Sequence, residues 1–147
     1  MRVLLQRVAR AEVTVEGQAT GSIGPGIMAL VGVGPDDTAE VATTLAGKSC
    51  DLRIFRDDDG RTNRSLIDTG GAMLVVSQFT LYGDTRKGRR PSFIGAAPPD
   101  LAAELVEVFA TAVEARGVEV GRGRFGAEMA VELVNDGPMT IWLDSGA

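Results

Sequence analysis

Two stretches of the chain gather side chains that could hold or activate a substrate: Ser77-Gln78-Phe79-Thr80-Leu81-Tyr82-Gly83 and Asn135-Asp136-Gly137-Pro138-Met139-Thr140. In the first, hydroxyl, amide, aromatic and hydroxyl groups follow directly on the apolar run Ala72-Met73-Leu74-Val75-Val76. A rigid strand that delivers polar groups at its end is how a scaffold presents a site, although the same string also suits a plain polar strand end. In the second, Asn, Asp, Gly and Pro are ordinary turn residues. The alternative there is a rigid backbone device, because X-Pro is the one kind of peptide bond that adopts cis with any frequency.

The available chemistry is narrow. Histidine is absent from the 147 residues, and Cys50 is the only cysteine. Ser-His-Asp and Cys-His machinery are therefore excluded, as is a zinc site built from the usual nitrogen and sulfur ligands. No internal disulfide can form, and Cys50 reads as a small buried hydrophobe on a helix. An enzyme of this composition must draw on backbone dipoles, carboxylates, a metal held by oxygens, or groups of the substrate itself.

Composition sets the class. Hydrophobic residues make up 44% and charged residues 24%, as in an ordinary globular protein, and the length suits one domain, residues 1–147. No apolar run approaches the roughly 20 residues of a membrane helix. Arg7 and Arg10 interrupt the N-terminus before a signal-peptide core forms, so a cytoplasmic protein is expected. The net charge of −5 argues against broad affinity for nucleic acid. One dense basic cluster runs the other way: Arg86, Lys87, Arg89 and Arg90, directly after the first stretch. It reads either as a solvated loop or as a loop that contacts phosphates.

The elements that must position these groups follow from pattern. Val3–Val8 and Ala11–Glu16 read as strands, with a turn at Gly17-Gln18 and a return over Ala19–Ile23. Ile27–Val33 is a buried strand after Gly24-Pro25-Gly26. Asp37-Thr38-Ala39-Glu40 predicts a capping box opening a helix that ends near Cys50. Leu52–Phe55 predicts a short strand, and Asp57-Asp58-Asp59-Gly60 a hairpin turn, since the spacing and distal glutamate of an EF-hand loop are missing. Pro98-Pro99-Asp100 opens the longest helix, with Leu101, Leu105, Val108, Phe109, Ala112 and Val113 on its apolar face and Gly117 as its stop. Gly121-Arg122-Gly123-Arg124-Phe125-Gly126 fits the dinucleotide pattern, but the alternation of Met129, Val131 and Leu133 predicts a strand where that fingerprint needs a helix. Met139–Leu143 closes as a last strand. No alternating βαβ units are read. The expected fold is α+β: mixed, mainly antiparallel strands forming a barrel-like core, with two main helices packed outside.

Taken together, SQFTLYGD and NDGPMT, in this order and spacing, closely resemble the D-aminoacyl-tRNA deacylases. The resemblance spans nearly the whole chain, through Gln6-Arg7-Val8, Leu52–Phe55, Gly88–Phe93, Phe125-Gly126-Ala127 and Trp142-Leu143. Met139 departs from a frequent valine and Val106 from a frequent aromatic. The resemblance implies hydrolysis of the ester between a D-amino acid and the 3′-terminal adenosine of tRNA, using main-chain groups and the RNA's own 2′-hydroxyl, with no cofactor and no metal. Amides around Gln78, Phe79 and Thr80 would stabilise the oxyanion. Side chains of Ser77, Gln78 and Thr80 would hold the strand end and the ribose. Thr80 as nucleophile ranks below structural support, for want of a group to take its proton. A cis Gly137-Pro138 bond, entering the partner's site in a homodimer, would reject L-amino acids and pass glycine. Arg7 would brace that loop, Phe125 and Met129 would line the pocket, and the basic loop would meet the tRNA. Two other functions compete: a small-molecule esterase or amidase on the same strand, and a non-catalytic nucleic-acid-binding module.

Overall fold

The fold is built on one long strand. In a computed structural model describing residues 1–147, β1 runs unbroken over Arg2–Val15, where two strands were expected. It pairs antiparallel with β2 (Gln18–Ile23) and β3 (Gly26–Gly32) in succession along one edge. Along its other edge it pairs with the last strand, Ala130–Asp144. The apparent break at Ala9-Arg10 is a bulge in which the ladder skips from Val8 to Arg10. It reverses which residues face which way: Val3 and Leu5 join the main core, whereas Val8, Ala11 and Val13 join a second cluster with Ile23, Met28, Leu74 and Val76. One extra residue thus lets a single strand serve two faces. The following turn is Glu16-Gly17, at φ 50° and 77°, one residue earlier than predicted. Both central residues of such a two-residue hairpin take positive φ, which leaves Gln18 to pair with Val15.

After β3, helix α1 covers Ala39–Asp51, as expected, but its N-cap is Thr38, whose hydroxyl accepts from the Val41 amide at 3.3 Å. Asp37 is drawn off instead by the N-terminal ammonium and the Gly34 amide, both at 2.6 Å. A carboxylate offered a charged donor prefers it to a neutral cap. Strands β4 (Phe55–Arg56) and β5 (Thr62–Arg64) form the predicted hairpin, and Asp57 accepts from the Asp59 and Arg61 amides at 2.9 Å. The strand predicted from Leu52 begins only at Phe55. The Leu52 and Ile54 amides are engaged locally, by the carbonyls of Lys48 and Leu52. A four-residue helix missed in the sequence, α2 (Leu66–Thr69), follows with a capping box of Ser65 and Asp68.

Strand β6 (Ala72–Ser77) lies parallel to β3, and β7 (Val120–Arg122) lies parallel to β6, with α3 (Pro99–Glu114) crossing between the last two. Two βαβ crossovers therefore exist where none was read. Their helices are separated from the strands by long loops, which hid the alternation. The buried face of α3 is Ala102, Leu105, Phe109, Ala110 and Val113, with Leu101, Val108 and Ala112 at its margin. Thr20 Oγ1 donates to the Arg122 carbonyl at 3.1 Å, so β2 and β7 meet and the mixed sheet nearly closes into a barrel. The final strand, β8, is continuous over the two segments predicted separately and carries Asp136–Met139 as an excursion. The α+β class, the mainly antiparallel pairing and two main helices outside the sheet agree with expectation. No helix is long and apolar enough to cross a membrane.

Phe109 is fully buried between α3 and the sheet. Phe109→Ala should cost about 3–5 kcal/mol of unfolding free energy, measured by urea titration, because packing on both sides limits collapse of the cavity.

Candidate active site

β6 delivers its C-terminal end beside that of β3. Ser77 is its last strand residue, paired with Val31, and the Gln78 amide donates to the Val31 carbonyl at 2.8 Å. There the chain leaves the sheet. Phe79–Tyr82 tightens into a 3₁₀ turn rather than extending the strand. The turn can lie across the end of β3 because Gly32 has no side chain: a Cβ there would meet the Gln78 carbonyl at 2.9 Å and Leu81 Cβ at 3.2 Å. Its closing bonds run from the Leu81 amide to the Gln78 carbonyl and from the Gly83 amide to the Thr80 carbonyl. The Phe79 and Thr80 amides, first in the turn, have no partner within it and donate to no side chain or loop carbonyl. Of the three amides expected to act together, Gln78 is thus committed to the sheet and the other two open the turn. The Gln78 side-chain amide donates to Thr80 Oγ1, so the threonine hydroxyl is held by a donor and has no base beside it.

Ser77, Gln78 and Phe79 rim a cavity of about 540 Å³, and Thr80 follows them just outside its lining. Val31, Val33 and Val76 form its floor, and Ser77, Gln78 and Phe79 one wall. Phe93, Ala96 and Ala97, Ala102 and Val106 of α3, and Phe125 and Met129 from the segment between β7 and β8 complete the lining. Phe125 and Met129, the two residues assigned to a pocket from the sequence, are both in this lining. Phe93, which the sequence did not single out, packs edge-to-face on Phe79 at 5.2 Å between centroids. The lining is apolar except at the β6 end, which is the arrangement of a ligand site with few orienting groups.

The basic cluster sits on an excursion clipped at its base by two backbone bonds between Asp84 and Ser92, at 2.7 and 2.9 Å. Ser92 adjoins Phe93, so the loop rises from the pocket wall. Arg86 is folded onto Asp84, with Nη2 at 2.6 Å from Oδ2. Hydrogen bonds from Arg86 hold the Asp84 carboxyl down to about 2. Lys87, Arg89 and Arg90 are exposed and make no ion pair.

Gly137-Pro138, a cis bond, lies elsewhere. Between the pairs Gln6↔Thr140 and Val8↔Asn135, Arg7 alone opposes Asp136 to Met139, so four residues bow out of the ladder. Asn135 Nδ2 ties the bow at its neck, donating to the carbonyls of Arg7 at 2.9 Å and Met139 at 3.0 Å. Arg7 is buried beneath it, donating to the Asp136 carbonyl at 3.0 Å and the Ile54 carbonyl at 2.6 Å. Arg56 of the β4–β5 hairpin forks the Asp136 carboxylate at 3.1–3.3 Å. That hydrogen bonding, more than the charge of Arg7, lowers the Asp136 pKa. At φ +130°, Gly137 has no room for a Cβ, which would fall 2.5 Å from Arg7 Nη2. Arg7 thus ties the loop's backbone to that of Ile54. Arg56, Ile54 and Asn135 were missed, because nothing in their neighbours' spacing marks a partner far along the chain. Gly137 and Pro138 are exposed and do not line the cavity of their own chain. No group of three or more His, Cys, Asp or Glu side chains is arranged to hold a metal ion.

Removing Arg7 leaves two carbonyls without their donor under the loop, whereas Arg56 pairs in solvent. Arg7→Met should destabilise by about 2–4 kcal/mol in urea unfolding, and Arg56→Ala by no more than about 1 kcal/mol. Equal effects would contradict this division.

The model of the D-Tyr-tRNA(Tyr) deacylase family matches residues 4–144. A D-aminoacyl-tRNA deacylase of Roseiflexus castenholzii is 61% identical over 145 residues, covering 99% of this chain and 92% of that protein. One from Deinococcus deserti is 60% identical over 144 residues, covering 98% and 99%. Among solved structures, a c-Myc DNA unwinding element binding protein superposes with a TM-score of 0.92 at 37% identity over the full length of both chains. A probable eukaryotic D-amino acid tRNA deacylase, 23% identical with 97% of both chains covered, superposes at 0.83 and shares the fold. From its fourth residue almost to its last, this chain belongs to the D-Tyr-tRNA(Tyr) deacylase family.

Proposed function

We propose that the chain hydrolyses the ester between a D-amino acid and the 3′-terminal adenosine of tRNA, in the cytoplasm and as a homodimer. The observation that carries this is the pair of amides, Phe79 and Thr80, that opens the turn next to the polar end of an otherwise apolar cavity, which Phe79 lines. Water adds to the ester carbonyl, whose oxygen becomes an oxyanion facing those two donors. Collapse breaks the bond to the ribose 3′-oxygen, which leaves as a hydroxyl, releasing the free D-amino acid. Each preorganised donor is worth a few kcal/mol to that oxyanion in a site sheltered from water. The protein offers no histidine, so the neighbouring 2′-hydroxyl of the RNA is the group best placed to relay the proton. Ser77, Gln78 and Thr80 hold the strand end and the ribose.

The chiral filter is assigned to Gly137 and Pro138 of a second subunit. Two observations support action in trans: the loop stands exposed, and the cavity of its own chain lacks it. Its carbonyls would accept from the α-ammonium while leaving no volume for an L side chain. Glycine, with no side chain, passes. The half-exposed Trp142 and the unpaired outer edge of β8 supply a face for the second copy.

Purified protein should deacylate D-tyrosyl-tRNA and spare L-tyrosyl-tRNA, with EDTA making no difference. Gly32→Leu, which displaces the 3₁₀ turn, and Gly137→Val, which distorts the loop, should each be inactive. Mixed and allowed to exchange subunits, the two should regain turnover, because one site of each hybrid is intact. Absence of recovery in demonstrated hybrids would place the filter in cis. Cleavage of both enantiomers, or of free amino-acid esters equally well, points to a general esterase; tRNA binding without turnover points to a binding module.

The basic loop is assigned to the tRNA backbone. Substituting Lys87, Arg89 and Arg90 by serine should raise KM and reduce the slope of log KM against log salt by about 0.7–0.9 for each phosphate that is no longer neutralised. Arg86→Ser should do less, since its guanidinium is engaged by Asp84.

A further inference from the structure

We propose that Arg2 is a positioning residue for the hydrolysis, setting the 3₁₀ turn whose free amides face the oxyanion. This rests on the oxyanion role given above to Phe79 and Thr80. The side chain is two-thirds covered, with 33% of its surface exposed. Nη1 donates to the Leu81 carbonyl at 2.9 Å. The guanidinium carbon lies 4.5 Å from the centroid of the Tyr82 ring and 5.9 Å from that of Trp142. Nε reaches Asp144 Oδ2 at 3.3 Å. One planar cation therefore grips two consecutive residues of the turn, Leu81 and Tyr82, and fastens them to the end of β8.

The turn has few other anchors. Its entry is held by the Gln78 amide on Val31, its underside rests on Gly32, and its own bonds span only Gln78 to Gly83. The Leu81 carbonyl accepts from Arg2 and from no backbone amide outside the regular elements. In a four-residue turn, movement at Leu81 passes to Phe79 and Thr80 through a handful of dihedrals. Displacement of an oxyanion donor by about 1 Å can cost on the order of 100-fold in rate. Lysine is a poor substitute, because a single ammonium cannot donate to Leu81, pair with Asp144 and lie flat on Tyr82 together.

The test compares wild type with Arg2→Met, Arg2→Lys and Arg2→Ala, each verified as folded by circular dichroism, in deacylation of D-tyrosyl-tRNA. The expected result is a fall in kcat of roughly 10- to 100-fold, with KM changed by no more than about threefold. Arg2→Lys should recover little. Arg2→Ala should regain rate with added methylguanidinium and not with methylammonium at the same ionic strength. Trp142, the only tryptophan, should shift its emission in Arg2→Met as the cation leaves its neighbourhood. Should Arg2→Met fail to fold, Tyr82→Leu, which removes the ring beneath the guanidinium, carries the same expectation for kcat. Unchanged kcat overturns the inference, and so does a raised KM alone, which would make Arg2 an RNA contact. Replacing the Phe79 amide by an ester deletes that one N–H and separates the two levels. If it lowers kcat while the Arg2 variants do not, Arg2 alone loses its role; if it leaves kcat intact, the oxyanion role falls and the inference falls with it.

Discussion

Pairing of β1 along both edges is the constraint on which the rest depends. Residues 2–8 are bonded to β3 on one side and β8 on the other, so this segment cannot shift without breaking two ladders. From it project the two arginines that reach the functional stretches. Arg7 points under the Gly137-Pro138 bow, and Arg2 reaches the turn that follows β6. Both donate to main-chain carbonyls, which are obligatory acceptors that must be paired when covered. The strand thus fixes backbone by way of side chains, and the fixed backbone forms the proposed site.

That arrangement answers the composition. A chain without histidine has no side chain that exchanges protons near neutral pH in its unperturbed state. What remains are main-chain dipoles, which do not titrate and have no rotamers to lose. Their usefulness depends on staying unpaired without being unsatisfied in the dark of a core. Phe79 at the rim of the cavity and Thr80 beside it are both exposed, so that water can serve their amides until a substrate oxygen arrives. Such donors need no reorganisation when charge develops, which is where a preorganised site gains over solvent. The acidic balance of the chain fits the same division of labour. Its densest basic stretch, residues 86–90, stands on one clipped loop beside the pocket, where the proposed reading puts the tRNA backbone.

Much of this was legible in the sequence, for reasons that also explain what was not. Ala72–Val76 announced a buried strand by its unbroken apolar run, and the polar residues after it marked the place where the sheet ends. The face of α3 was visible through spacings of three and four. Local patterns could not reveal that Phe79–Tyr82 tightens into a turn, because the cause is remote: a glycine in β3 that leaves room for it. The same holds for β1. Ala9-Arg10 breaks the alternation, and a bulge and a chain reversal break it alike until the partner strand is known. Asp37 lost its cap to an ammonium brought beside it by folding. In each case a short-range rule was sound and a long-range contact overrode it.

Separation of the two motifs within one chain has a consequence for selectivity. On the proposed reading, a lone subunit carries the oxyanion donors and the cavity but not the filter, so discrimination needs the second subunit. An L-aminoacyl-tRNA is the far more abundant substrate in a translating cell, so an unfiltered site would be harmful out of proportion to its concentration. On that reading, a Gly-Pro bow supplied by the second subunit, braced from below by a buried arginine and from the side by Arg56, would couple discrimination to assembly. The outer sheet face near Trp142 then has two duties, since the contact that brings in the filter adjoins the Arg2 stack that holds the catalytic turn.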